Sequence, residues 1–170
     1  MAKKTAKKQP PINIHARHTL YVFVRTELPS MTPGKAQAHS GHAASLFARD
    51  CQDPGGLWTA DHTRRLYAEW EGDRGFGTQI NLQATWDEIE ELITDDNGAM
   101  LANIVIDPTY PYMVDLEMLD LIDPMLHTIP PIIKENHAIC FRKESTAAYI
   151  FCEENNTPLK DLLSKYPLHP

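Results

Sequence analysis

Lys35, His39, His42 and Asp107 are residues whose types and positions could do chemistry together. An ammonium group meets a phosphate or a developing oxyanion, while an imidazole or a carboxylate accepts a proton or orients a water molecule. His39 and His42 stand at i and i+3, one face of any helix that contains them. That spacing could hold zinc, but no cysteine or acid lies nearby at ligand spacing, so neither a metal nor another cofactor is expected. Arg25, Thr26 and Glu27 close an apolar run upstream, and Thr109 follows Asp107 by two positions. Each residue also has a plainer role. A lysine in a helix's first turn is usually solvated, an aspartate before proline usually forms a turn, and a histidine among alanines, such as His42, usually packs in a core. Function requires that they converge.

The elements that must position them can be read from local signals. Leu20 to Val24 is a continuous β-prone run, so His18 to Thr26 reads as a strand buried on both faces. Thr32 suits a helix cap and Pro33 an early helical position, which predicts a small-residue helix over Lys35 to Arg49. A second helix or helical hairpin is expected over Leu57 to Glu71, a strand over Thr78 to Leu82, and a helix over Asp87 to Ile93 with acids in its first turn. Leu101 to Ile106 reads as a buried strand ending at Asp107-Pro108-Thr109. Strands alternating with helices predict right-handed crossovers and a mainly parallel sheet. Ligands sit at the carboxyl ends of such strands, so Arg25 to Glu27 and Asp107 to Thr109 would share a crevice with the helix that starts near Lys35. Further on, Asp115 to Ile122 reads as helical. Ala138 to Phe141 and Ala147 to Cys152 read as a hairpin turning through Arg142 to Ser145, and Thr157-Pro158 as the cap of a helix over Leu159 to Lys165.

A chain of 170 residues with 42% apolar and 23% charged residues has the composition of a single globular domain. No apolar run approaches a membrane span, and the N-terminus lacks a signal core. Cys51, Cys140 and Cys152 are odd in number and lack metal-type spacing, which suits free buried thiols in a reducing cytoplasm. All 23 acids lie at Glu27 or later, whereas Lys3, Lys4, Lys7, Lys8 and Arg17 precede them. Removing those five from the 16 basic residues leaves 11, so residues 18 to 170 carry a net −12. A body that acidic repels bulk nucleic acid, so an RNA partner would need a local basic patch or the lysine-rich start. Residues 1 to 17 read as a disordered basic leader, with a nucleic-acid arm as the alternative. Arg64, Arg65, Trp58 and Trp70 form either a base-stacking face or an amphipathic helix packed on the body. GxGxxG, Walker, GxSxG and CxxC patterns are absent, which weighs against nucleotide-binding and α/β-hydrolase classes.

The run VRTEL, then GK, then HAA over residues 24 to 44 resembles the opening of the type II peptidyl-tRNA hydrolase family. Arg25, Thr26, Glu27, Leu28, Gly34, Lys35, Ala38, His42, Ala43 and Ala44 match its pattern. The spacing from Leu28 to Gly34 is one residue longer than usual, His39 stands where the family has glutamine, and Ser40 where cysteine is common. Asp107 matches the aspartate of a D-A-G-x-T-like motif, but here the glycine is missing and the threonine, Thr109, comes two positions early. Thr146 matches the threonine that opens the family's last strand, whose usual glycine and proline end is replaced by Glu153-Glu154. The resemblance implies a three-layer α/β/α sandwich with a four-stranded mixed, mainly parallel sheet, spanning residues 18 to 170 with insertions near 53–77 and 110–137. It implies a cytoplasmic, metal-independent enzyme of translation that hydrolyses the ester between a peptide and the terminal ribose of tRNA. Lys35, Asp107, Thr146 and His42 would be catalytic, and Arg25, Thr26, His39 and Thr109 would bind substrate. The implied partner is peptidyl-tRNA or tRNA, with the ribosome and a second copy of the chain as further candidates. An inactive homologue that binds tRNA, ribosome or a protein through the same crevice is the alternative.

Overall fold

The computed structural model describes residues 17–53, 60–73, 77–94, 98–119, 121–122 and 127–169. The elements follow in the order β1 (His18–Arg25), α1 (Pro33–Gln52), α2 (Ala60–Gly72), β2 (Thr78–Ala84), α3 (Trp86–Thr94), β3 (Leu101–Asp115), α4 (Leu116–Leu119), β4 (His127–Ile133), β5 (His137–Glu153) and α5 (Thr157–Leu163). The expected leader lies outside the described residues apart from Arg17, whose carbonyl accepts from the Glu154 N–H. Parts of the two expected insertions, residues 54–59, 74–76, 120 and 123–126, also lie outside them. Among the described residues no helix is long and apolar enough to cross a membrane.

The Leu20 to Val24 run of β1 is apolar throughout because it is buried on both faces between β2 and β5. Leu20, Val22 and Val24 point to a core made with Phe47 of α1, Leu66 and Trp70 of α2, and Tyr149 of β5. Tyr21 and Phe23 point the other way, to Ile89 and Leu92 of α3 and Leu159 and Leu163 of α5. Phe47 is fully buried and meets the rings of Tyr67, Trp70, Tyr149 and Phe151 at centroid distances of 4.6–5.8 Å. Burial of one such side chain contributes about 2–3 kcal/mol. Local signals fix α1. The Thr32 side chain accepts from the Lys35 N–H, Pro33 opens the helix, and Ala36, Ser40, Ala43, Phe47 and Cys51 are buried at steps of three or four residues. Gly77 has φ +72, and a Cβ there would lie 2.3 Å from the Trp70 ring, so only glycine lets β2 begin beneath that indole.

The α/β sheet is mixed and open, with order β2-β1-β5-β3 and β4 added to β5. Two expectations need correction here. Among the described residues the sheet has five strands, not four, and β1–β2 is the one parallel pairing; β5 runs antiparallel to β1, β3 and β4. The reason lies in burial. Ala147 to Cys152 is apolar on both faces and takes the central place beside β1, whereas within Leu101 to Ile106 only Val105 is buried, which suits an edge.

The expected hairpin at Arg142 to Ser145 is also absent, because β5 runs unbroken through it. Its polar residues are held by partners remote in sequence. Arg25 and Arg142 both reach Glu144, and β3 pairs alongside. β3 likewise continues past Pro108 to Asp115, so the expected helix over Asp115 to Ile122 shrinks to α4. Asn156, not Thr157, caps α5, its side chain accepting from the Leu159 N–H. Beyond the end of β1, the second half of β3, the first part of β5 and β4 form a three-stranded arm. Its register puts Pro111–Phe141–Ile129 and Met113–Ile139–Ile132 in two apolar rows on one face, with Met113 70% exposed. Pro130 and Pro131 lie in β4, an edge strand, where a missing N–H is tolerated. At the opposite edge the C-terminal tail covers β2, with the Gln83 N–H donating to the Pro167 carbonyl and the His169 N–H to that of Asn81.

Candidate functional site

Two irregularities in the β3–β5 ladder build the site. Between Val105↔Ala147 and Ile106↔Ser145, β5 carries one extra residue, Thr146. Between Asp107↔Glu144 and Tyr110↔Arg142, β3 carries one extra residue in the Pro108-Thr109 step. Bulges of this kind re-aim side chains and tolerate a proline that the ladder would otherwise reject. Asp107 sits between the two, under the first turns of α1.

α1 supplies the facing groups. His39, 4% exposed, places Nδ1 3.1 Å from Thr146 Oγ1 and Nε2 4.0 Å from Asp107 Oδ2. Thr146 is fully buried. Asp107 Oδ1 accepts from the Thr109 N–H at 2.8 Å and from its hydroxyl at 3.4 Å, which fixes the carboxylate and turns Oδ2 toward the imidazole. Lys35 Nζ lies 5.1 Å from the Tyr110 ring centroid, and the same ring is 5.8 Å from that of His39. His42, one turn on, meets the His39 ring edge-on at 5.5 Å and is exposed at the mouth. Burial is the main force that lowers the His39 pKa; His42 and Lys35 push the same way, and Asp107 pulls against them. His39 is therefore a neutral imidazole at pH 7, able to accept a proton.

Six of the eight residues singled out in the sequence thus come together: Lys35, His39, His42, Asp107, Thr109 and Thr146. Arg25 and Thr26 do not. Arg25 is held by Glu27, Glu144 and the Ser145 carbonyl, with its guanidinium 5.4 Å from the Trp86 ring centroid. Thr26 is exposed in the turn after β1.

The structure adds residues that the sequence did not flag. Tyr110 closes the cluster beneath Lys35. A groove of about 620 Å³ runs from His42 and Asp107 along α1 and the edge of β3 to Arg49 and Asn103. Its helical wall, His42, Ser45, Leu46 and Arg49, follows an i, i+3, i+4, i+7 spacing that a helical reading could have found. Asp50 anchors the far end, its Oδ2 accepting from Tyr149 Oη at 2.6 Å and Asn103 Nδ2 at 2.8 Å. Among the described residues no group of three or more His, Cys, Asp or Glu is placed to hold a metal ion. Burial raises all three thiols, Cys51 and Cys152 to about 12, so none is a ready nucleophile. Comparison with models of known protein families gives no match, and comparison with curated proteins gives none either.

Proposed function

We propose that this chain hydrolyses the ester joining a peptide to the terminal ribose of tRNA, in the manner of the type II peptidyl-tRNA hydrolases that residues 24 to 44 resemble. The observation that carries the reading is the facing pair His39 Nε2 and Asp107 Oδ2, 4.0 Å apart, with the Lys35 ammonium over Tyr110 beside them. A water molecule hydrogen-bonded to both atoms at about 2.8 Å makes a bent bridge across that gap. Asp107 Oδ2 and neutral His39 orient the water and take its proton as the oxygen attacks the ester carbonyl. Lys35 meets the charge that develops on the carbonyl oxygen or the adjoining phosphate. The carbon–oxygen bond to the ribose then breaks, the proton taken from the water passes to the leaving ribose oxygen, and water's second proton is lost as the new carboxylic acid ionises, giving a peptide carboxylate and free tRNA. Thr146 and Thr109 position His39 and Asp107, and His42 at the mouth meets the tRNA end. The reading takes the domain as a three-layer α/β/α sandwich on β2-β1-β5-β3, with β4 as an addition, in a cytoplasmic protein of translation. No metal enters this chemistry.

The test is release of labelled acyl-peptide from peptidyl-tRNA, with and without chelator. Asp107→Asn and Lys35→Ala are each expected to slow release more than about tenfold, over ~1.4 kcal/mol of transition-state stabilisation, with Tm unchanged. Normal rates in both variants would sink the assignment. Retained tRNA binding without release by the unaltered chain would support the non-catalytic alternative instead.

A further inference from the structure

The groove leading away from the cluster has a floor of its own kind. Six consecutive β3 residues, Asn103 to Pro108, line it. Successive strand side chains point to opposite faces, so consecutive lining means that the strand offers its backbone edge. Along this stretch, among the described residues, β3 pairs with β5 on one side and with no strand on the other. The Ile104 N–H donates to the Oδ1 of its own neighbour Asn103 at 2.8 Å, a local bond that an added strand would exchange for one to its own carbonyl. Both ends are marked. At one, the Asn103–Asp50 hydrogen bond ties strand to helix, with Arg49 alongside. Asp107 and His42 stand at the other. Four steps of about 3.3 Å separate Asn103 from Asp107, room for three or four residues of extended chain.

We infer that the edge of β3 takes an extended peptide as an added strand, holding the last three or four residues before the scissile ester. The identity of that peptide rests on the proposed hydrolase reading; the backbone pairing does not. The ester closes the peptide's carboxyl end, and β3 runs toward Asp107, so the peptide lies parallel to β3 with its carboxyl end at the cluster. Backbone amides and carbonyls at strand spacing recognise a polypeptide whatever its side chains, and they discriminate against one whose N–H groups are missing. The Asp107 carboxylate repels a phosphate backbone at the end where the ester would sit, and among the described residues Arg49 is the one cationic side chain lining the other.

The first experiment is an NMR titration of the full chain with N-acetyl-tetraalanine amide, beside the same peptide N-methylated at its third residue. Saturable shifts at the Ile104 and Ile106 amides are expected, with the N-methylated peptide at least about tenfold weaker. Ile104→Pro removes the donor now held by Asn103, at an edge position that accepts proline, and it should abolish the shift at Ile106 while the fold is retained. Absence of shifts across Asn103 to Asp107, or equal binding of both peptides, overturns the inference. The second experiment uses peptidyl-tRNAs carrying one to six residues. KM is expected to fall about tenfold to the third or fourth residue and then level off, in keeping with two net backbone hydrogen bonds. A KM independent of length overturns the groove but leaves the hydrolase standing. If no substrate is cleaved, the hydrolase reading fails, and the titration alone decides the groove.

Discussion

Arg25 leaves β1 where β5 loses that neighbour. The last β1 pairing is Val24↔Ala147, and β4 takes over only from Arg142. The guanidinium fills the gap, donating from Nη1 to the Ser145 carbonyl at 2.7 Å and to Glu144 Oε1 at 2.6 Å, and from Nε to Glu27 Oε1. The Glu27 oxygen in turn accepts from the Trp86 N–H, so one side chain links β1, β5 and the start of α3. With a side chain only 12% exposed, Arg25 cannot be removed without leaving a carbonyl and a carboxylate short of a donor. Arg25→Ala should therefore lower stability by about 1–3 kcal/mol in urea denaturation and change KM less than twofold. A large rise in KM with unchanged stability would assign it to substrate instead.

Elements set by local signals were legible in the sequence. Thr32 and Pro33 announce α1, the acids after Trp86 announce α3, and an apolar run without alternation announces a central strand in β1. Because Lys35, His39 and His42 share one helix, three members of the candidate site could be read together. β5 could not be read this way. Arg142, Lys143 and Glu144 have the composition of a turn, and what holds them extended is Arg25 and β3, both far away in the chain. The bulges that aim Thr146 and release Pro108-Thr109 are equally hidden, since a bulge exists only relative to its partner strand. For the same reason the groove went unseen: Arg49 and Asn103 meet only through Asp50 and the pairing of β3.

At the scale of the whole molecule, buried imidazoles link stability to pH. Burial lowers the pKa of His18, where Glu153 and Glu69 oppose it, and of His39, where Asp107 opposes it. Each takes a proton near 6.5 in the unfolded chain but only at lower pH in the fold, so the unfolded state binds more protons as the medium acidifies. Stability is then complete above about pH 6.5 and declines below it. Tm should drop between pH 7.5 and 5.5, and a flat profile across that range would contradict the neutral assignment of both residues. β5 has a consequence of another kind. Residues 147 to 152 are buried beside β1, with β3 paired to residues 147 to 151, whereas residues 138 to 142 lie in the arm between β3 and β4, beside an apolar face open to water. In native-state hydrogen exchange the first group should open only with the whole protein, and the second through detachment of the arm. One uninterrupted strand would then report two opening free energies, with the step between them at Ser145.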